Sequence, residues 1–473
     1  MTVGKSTPRM LFRLSTLTLA IALVGCATPG PDHTPLVQTQ AKTVGLSETA
    51  SSFVSMQWWQ SFGDPELDRV VKQALEGQPT LAVVRARVTR MLALADVSQS
   101  TRYPQVSVGA DVTRQRYTAN GLYPPPLAGN VYNSGNAQVG VAWAPDLFGQ
   151  HTAEIASTLN QAQAAQADAQ AAAVSLAAQV SRGYITLARL VAQREVAQRA
   201  VAQRQLLATR ITERVNAGLD TQLEQQQADG ALSQARGQIE ALEEQLSLVR
   251  HQLAALAGQR VDAYDHLSPD LAQLHLEDIP LTLGADLLGR RADVIAARWR
   301  VEAAVQDVQA ARTQFYPNVN ISAFAGVSAI GTGKVFESSS RQAGVSPAIR
   351  LPLFDGGRLR AQLKGRQGDL DIAIASYNSV VLEAVKEASD AISSSQSLLR
   401  QQLDEGKALA SAQSSYDIHV ARYNAGLTNQ LALLNAENQW LAQRRSAIDL
   451  RARELDNRVA LMKSLGGGWP EAQ

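Results

Sequence analysis

Across 473 residues the chain has one cysteine, Cys26, and aromatic residues make up only 5%. A lone thiol cannot close an internal disulfide. The six histidines, His33, His151, His251, His266, His275 and His419, show no metal-ligand spacing, and Asp-rich metal loops are absent. Gly466-Gly467-Gly468 lacks the Lys-Ser/Thr of a phosphate-binding loop and follows a helical stretch where such a loop would open one. These absences argue against an enzyme, a metal or a cofactor. The formal net charge is +1, so composition gives no reason to expect nucleic acid. The apolar run over residues 14–24 is too short to cross a bilayer as a helix. Ala, Gln and Leu are abundant, which suits long helices packed through small side chains.

The N-terminus reads as an address. Lys5, Arg9 and Arg13 precede the apolar run, the layout of a signal peptide over residues 1–25. Leu23-Val24-Gly25-Cys26 resembles the lipobox of bacterial lipoproteins, in which the leader is cut before the cysteine and the cysteine is acylated. The alternative for a lone Cys26 is a buried small hydrophobe. Ala27, where Asp would favour inner-membrane retention, resembles an outer-membrane address. Several acyl chains anchor better than one, because each buried CH₂ adds roughly 0.8 kcal/mol. Residues 26–62 then form a Pro-containing tether ending in Trp58-Trp59 and Phe62.

The rest is organised around two matching turns, Arg214-Val215-Asn216-Ala217-Gly218-Leu219 and Arg422-Tyr423-Asn424-Ala425-Gly426-Leu427, 208 positions apart. Each lies between long stretches with few Gly and no internal Pro, so each predicts a helical hairpin with Gly at a left-handed cap. The plan occurs twice. Residues 63–258 form a first repeat, with a β-hairpin over 103–147 and the turn 214–219. Residues 259–288 form a connector. Residues 289–465 form a second repeat, with a β-hairpin over 316–354 and the turn 422–427, followed by a tail over 466–473. Residues 78–106 align with 291–319 at an offset of 213, and Leu147-Phe148 aligns with Leu353-Phe354 at 206. Residues 150–215 form one unbroken helical stretch that would reach about 100 Å.

Four segments alternate with period two. Val106, Val108, Ala110 and Val112 share one face. Ala137, Val139, Val141 and Trp143 share another, as do Val319, Ile321, Ala323 and Ala325, and Ala343, Val345, Pro347, Ile349 and Leu351. Their length suits tilted membrane strands. Four strands cannot close a barrel, and open edges in lipid cost several kcal/mol per unpaired group. If the strands span a membrane, at least two chains must share one barrel. A soluble, duplicated coiled-coil protein is the plainer alternative, but it leaves the alternating segments and the lipobox unexplained.

With these features the chain resembles the TolC-like outer-membrane efflux proteins, and within them the OprM- or NodT-like lipoprotein branch of tripartite drug pumps. The resemblance rests on the lipobox, Trp58-Trp59 with Asp64-Pro65-Glu66-Leu67, and the repeated Tyr-Pro at 103–104 and 316–317. It rests further on Leu288-Gly289-Arg290-Arg291-Ala292-Asp293-Val294, where the family usually has Pro at Ala292, and on Leu353-Phe354-Asp355-Gly356-Gly357-Arg358, both turns and Leu465-Gly466-Gly467-Gly468-Trp469. It implies a membrane α+β fold: a homotrimer with a 12-stranded β-barrel, four strands per chain, continuous with a long periplasmic α-helical barrel. The protein would be lipid-anchored in the outer membrane, with a periplasmic extension. It would work with a periplasmic adaptor protein and an RND-type inner-membrane pump, passing small molecules outward. A duct for type I protein secretion and a non-transporting periplasmic coiled-coil lipoprotein are the competing functions.

The resemblance also assigns roles at the turns. Asn216, Ala217, Gly218 and Leu219, with Asn424, Ala425, Gly426 and Leu427, would meet the adaptor; the alternative is that they are only good hairpin turns. Relatives close the tip with a Tyr and polar pairs, and some carry an acidic ring just beyond the second turn. Tyr423 matches the Tyr, but Ala432 and Asn435 stand at the acidic positions. The first copy has Asp220 and Glu224, so the gate is expected at Asp220, Glu224, Tyr423 and Thr428. The alternative for the two carboxylates is a solvated helix start, where negative charge is favourable.

Overall fold

The computed structural model describes residues 28–30, 33–44, 55–275 and 287–467. The expected signal peptide, Cys26, Ala27 and the tail beyond residue 467 lie outside the described residues, as do parts of the tether and of the connector.

Asp64 and Pro65 start helix α1 (Pro65–Gly77) as their chemistry predicts. The Asp64 carboxylate accepts from the N–H groups of Glu66 and Leu67, and Pro65 fills the first turn, where its missing N–H costs nothing. Gln78 separates α1 from α2 (Pro79–Ser100). Strands β1 (Gln105–Arg116) and β2 (Val131–Trp143) follow, then α3 (Gln150–Asn216) and α4 (Gln222–Leu256). The second copy, after a single helical turn at Leu287–Arg290, consists of α5 (Ala292–Thr313), β3 (Asn318–Ile330), β4 (Arg341–Arg350), α6 (Arg358–Asn424) and α7 (Gln430–Ser464). Helices α3 and α6 are both 67 residues long, and α4 and α7 both 35. No described helix is long and apolar enough to cross a membrane.

The chain forms two compact units, each drawn from three segments. One comprises the described parts of Met1–Gln38 with Val88–Ala164 and Ala297–Ser376. Its centre is a four-stranded antiparallel sheet in the order β1-β2-β3-β4. The register gathers every apolar alternating position onto one face: Val108 opposes Val139, Val139 opposes Ala325, and Ala325 opposes Ala343. The opposite face is mostly polar, with Phe324 and Ile330 of β3 as its large apolar side chains. Asn136 donates its amide to Asp111 at 3.1 Å, and Gln342 donates to Asn136 at 3.1 Å. Gln342 reaches Asn136 across β3 beside Gly326, which has no side chain to block it. The apolar face is bare: Val108 is 79% exposed and Ile349 75%. A sheet in water hides such a face against a second layer.

The other unit comprises the described parts of Thr39–Arg87, Ala165–Ala296 and Tyr377–Gln473. Trp58, Trp59, Phe62, Leu67, Val70 and Val71 lie in its core with Leu246, Leu253 and Leu455. Trp58 meets Trp59 edge-on at 5.9 Å. The described part of the connector is irregular but packed: Tyr264, Leu267, Leu271 and Leu274 are buried, and the Tyr264 hydroxyl donates to Gln73 at 2.8 Å. Antiparallel α3 and α7 are joined by Arg182–Asp456 and Arg189–Asp449, pairs seven positions apart on each helix. That spacing is the repeat of helices wound about one another.

Candidate functional site at the paired turns

Both turns have the same backbone. Leu219 N–H bonds to Arg214 C=O at 2.8 Å and Gly218 N–H to Val215 C=O at 3.0 Å; Leu427 and Gly426 repeat this to Arg422 and Tyr423 at 2.8 and 3.0 Å. Gly218 and Gly426 have φ of +71° and +73°. This double bond around a left-handed glycine is the Schellman ending of a helix, usually closed by an apolar contact back to the last turn. Here the last-turn positions are Arg214 and Arg422, so Leu219 and Leu427 stay 66% and 68% exposed. Asn216, Ala217, Asn424 and Ala425 are exposed too. All eight residues form two bare, backbone-rigid tips.

The residues after each tip differ between the copies. Asp220 accepts two hydrogen bonds from Arg214, from Nε at 2.7 Å and Nη2 at 3.0 Å. This fork-to-carboxylate pair holds the Asp220 carboxyl below the usual range. Thr428 occupies the equivalent place in the second copy, so among the described residues Arg422 has no such partner. Glu224 closes a capping box: it accepts from the Thr221 N–H at 3.1 Å and from the Thr221 hydroxyl, while the Thr221 hydroxyl accepts from Leu223 N–H at 3.2 Å. The Thr221 hydrogen bond draws the Glu224 carboxyl down. In the second copy Asn429 caps alone, accepting from Ala432 N–H at 3.0 Å.

Tyr423 is half-buried. Burial raises its pKa first, and the negative charge of nearby Asp220 adds to this, opposed by Arg214 and Arg210. The structure therefore brings Asp220, Arg214 and Tyr423 into one electrostatic group. Glu224 faces its own helix cap, and Thr428 has no hydrogen bond among the described residues.

Sequence reasoning missed the residues that hold the two hairpins together behind the tips. Arg204 on α3 pairs with Glu437 on α7 at 3.3 Å, donates to Asn438 at 2.7 Å and to Ala231 C=O at 3.2 Å. Both charged side chains are nearly buried, and desolvation pushes the Glu437 carboxyl up against the pull of Arg204. Trp440 stacks on Tyr416 at 4.9 Å beneath Arg444. Glu437 lies at the place in its repeat that Asp229 holds in the first, a signal that comparing the copies could have found. Among the described residues no three His, Cys, Asp or Glu side chains converge to hold a metal ion.

The family model described as outer membrane efflux protein matches residues 70–259 and 283–467. The multidrug resistance outer membrane protein MdtP of Shigella flexneri is 30% identical, over 98% of both chains. The fusaric acid resistance protein FusA of Burkholderia cepacia is 33% identical, over 74% of this chain and 68% of its own length. The crystal structure of the outer membrane protein VceC of Vibrio cholerae superposes with a TM-score of 0.83 at 30% identity, covering 88% of this chain and all of VceC.

Proposed function

The chain belongs to the outer membrane efflux protein family, and from that premise we propose that three copies pool their strands into one 12-stranded barrel serving as the passive exit duct of a tripartite pump. Channels of this family are homotrimers that work with an adaptor and an inner-membrane pump. The observation that carries the reading is the sheet: four strands, one apolar bare face, one mostly polar face, and outer edges of β1 and β4 that no described strand pairs. In lipid those edges must be closed, and copies of the chain supply the missing strands. The polar row of Asp111, Asn136 and Gln342 then lines water.

Efflux requires no bond chemistry from this chain, and the driving energy comes from the pump. Leu219 and Leu427, with the rigid glycine turns behind them, are the surface we assign to the periplasmic adaptor. The constriction is assigned to Asp220 and Tyr423, with Glu224 and Thr428 beside them; the two fork bonds from Arg214 support holding Asp220 in one place. The pump is of the RND type, and the cargo is small drug-like molecules, as the names of the relatives suggest. Acylation of Cys26 is supported by the tether. Thr28, two residues on, accepts hydrogen bonds from Arg360 at 2.9 and 3.0 Å, and Arg360 lies ten residues past the end of β4. An acyl group there would reach the lipid that the strands enter.

Deleting the gene tests the reading. Tolerance to small toxic compounds should fall while secreted protein levels stay unchanged. Loss of a secreted protein with unchanged tolerance would make the chain a secretion duct.

A further inference from the structure

Within the sheet the two repeats meet once, where β2 pairs with β3, and the same kind of junction must recur where the second repeat of one copy meets the first repeat of the next. This inference rests on the trimeric barrel proposed above. At the internal junction Phe148, in the corner after β2, stacks on Tyr316, just before β3, at 5.2 Å with planes 9° apart. The counterpart of Phe148 is Phe354, 206 positions on, and that of Tyr316 is Tyr103, 213 positions back. Among the described residues neither counterpart has a stacking partner: Phe354 is 89% exposed and Tyr103 69%. We infer that Phe354 stacks on the neighbouring copy's Tyr103, and that β4 pairs with the neighbour's β1 so that Ile349 opposes Val108.

The register follows from two independent constraints. Applying the same offsets to the internal pair Trp143–Ile321 gives Ile349 opposite Val108. The duplication is not perfect, however. Val108 opposes Val139 in the first hairpin, yet their counterparts Ile321 and Val345 are two residues out of step, since Ile321 opposes Pro347. The alternatives therefore differ by two residues, with Ile349 opposite Val106 or Ala110; a one-residue slip would turn the apolar face inward. Barrel closure removes one of them. With about 3.3 Å per residue and about 4.8 Å between strands, the three choices stagger a 12-stranded barrel by about 12, 18 and 24 residues, for Val106, Val108 and Ala110 in turn. The strand tilts are then about 35°, 46° and 54°, and membrane barrels tilt about 35–45°. Ala110 is excluded, and Val108 is the choice that also satisfies the duplication. It keeps Val345 with Val112 and Pro347 with Ala110 on the lipid face. It sets Gly344 opposite Thr113, as Gly326 stands opposite Gln138 inside the chain. The one like-charged pair, Arg341 with Arg116, falls at the loop end, where water and salt screen it.

Cysteine pairs in the full chain, in native membranes, test this. Opposed strand residues have Cα atoms about 4.5–5.5 Å apart, within disulfide reach, whereas neighbours two residues along do not. On mild oxidation Ile349→Cys with Val108→Cys should give covalent trimers, while Ile349→Cys with Val106→Cys or with Ala110→Cys should give few. Stronger cross-linking of either other pair overturns the register. No cross-linking of any pair in a protein whose detergent complex still has trimer mass overturns the seam and leaves the duct standing, whereas a monomer mass removes the duct itself. Phe354→Ala and Tyr103→Ala should each lower the temperature at which trimers dissociate, and the double substitution should lower it no further than the larger single effect. Additive effects would refute the stack.

Discussion

The hydroxyl of Tyr184 donates to the carboxylate of Asp64 at 2.6 Å, 120 positions away in the chain. Asp64 thereby does two jobs, capping α1 and pinning α3 beside it. Burial and this bond raise the Tyr184 pKa, so the phenol stays protonated and keeps donating. Asp64→Ala should destabilise by about 1–3 kcal/mol, from a lost cap and an orphaned buried hydroxyl. Tyr184→Phe should cost less, about 0.5–1.5 kcal/mol. Denaturant titration of both variants checks the order.

Arg204 and Glu437 should behave as a unit. Arg204→Met leaves a nearly buried carboxylate without its partner and should cost about 3–5 kcal/mol. Arg204→Met with Glu437→Leu should recover most of that loss, because replacing both charges removes the desolvation penalty. Equal losses in the single and double variants, measured by thermal unfolding, would contradict this.

The link at the first turn should respond to acid. The folded Asp220 carboxyl titrates below its ordinary range, so the Arg214–Asp220 link is fully present above that range and is lost as pH falls through the lowered value. Single-channel conductance should be flat from neutral pH down to the ordinary Asp value of about 3.9 and rise only below it. Asp220→Ala should raise it at neutral pH by roughly a few-fold, the scale of exposed ion pairs, and should flatten the acid response. Unchanged conductance and ion preference would remove Asp220 from the gate.

Two glycines mark how the repeats are built. Gly258 and Gly466 end equivalent helices with φ of +63° and +102°, and a Cβ would lie 2.5 Å from Gly77 C=O in one and 2.6 Å from Arg290 C=O in the other. Gly466→Ala should therefore destabilise by more than about 1 kcal/mol. Gly406→Ala, inside α6 with nothing within 4 Å, should stabilise by about 0.5–1 kcal/mol. Calorimetry of the two variants should show shifts of opposite sign.

Much of this was readable in the chain. Asn-Ala-Gly-Leu foretold both turns, because only a left-handed glycine satisfies the last carbonyls of such a helix. Asp64-Pro65 foretold the start of α1, and period-two alternation foretold all four strands and the apolar side of each, while the register that joins those sides into one face came only from the structure. The partner of Asp220 was not readable: Arg214 lies six positions back across the turn, at no helical spacing. Arg204 and Glu437 are 233 positions apart, and nothing local distinguishes them from solvated charges. The two-residue slip of the second hairpin was equally hidden, since a step of two keeps every side chain on its face.

The account turns on chains pooling their strands, and electron microscopy of the detergent-purified protein tests that most directly. End views should show a three-fold ring around a central opening. Particles of single chains, with no ring, would contradict it.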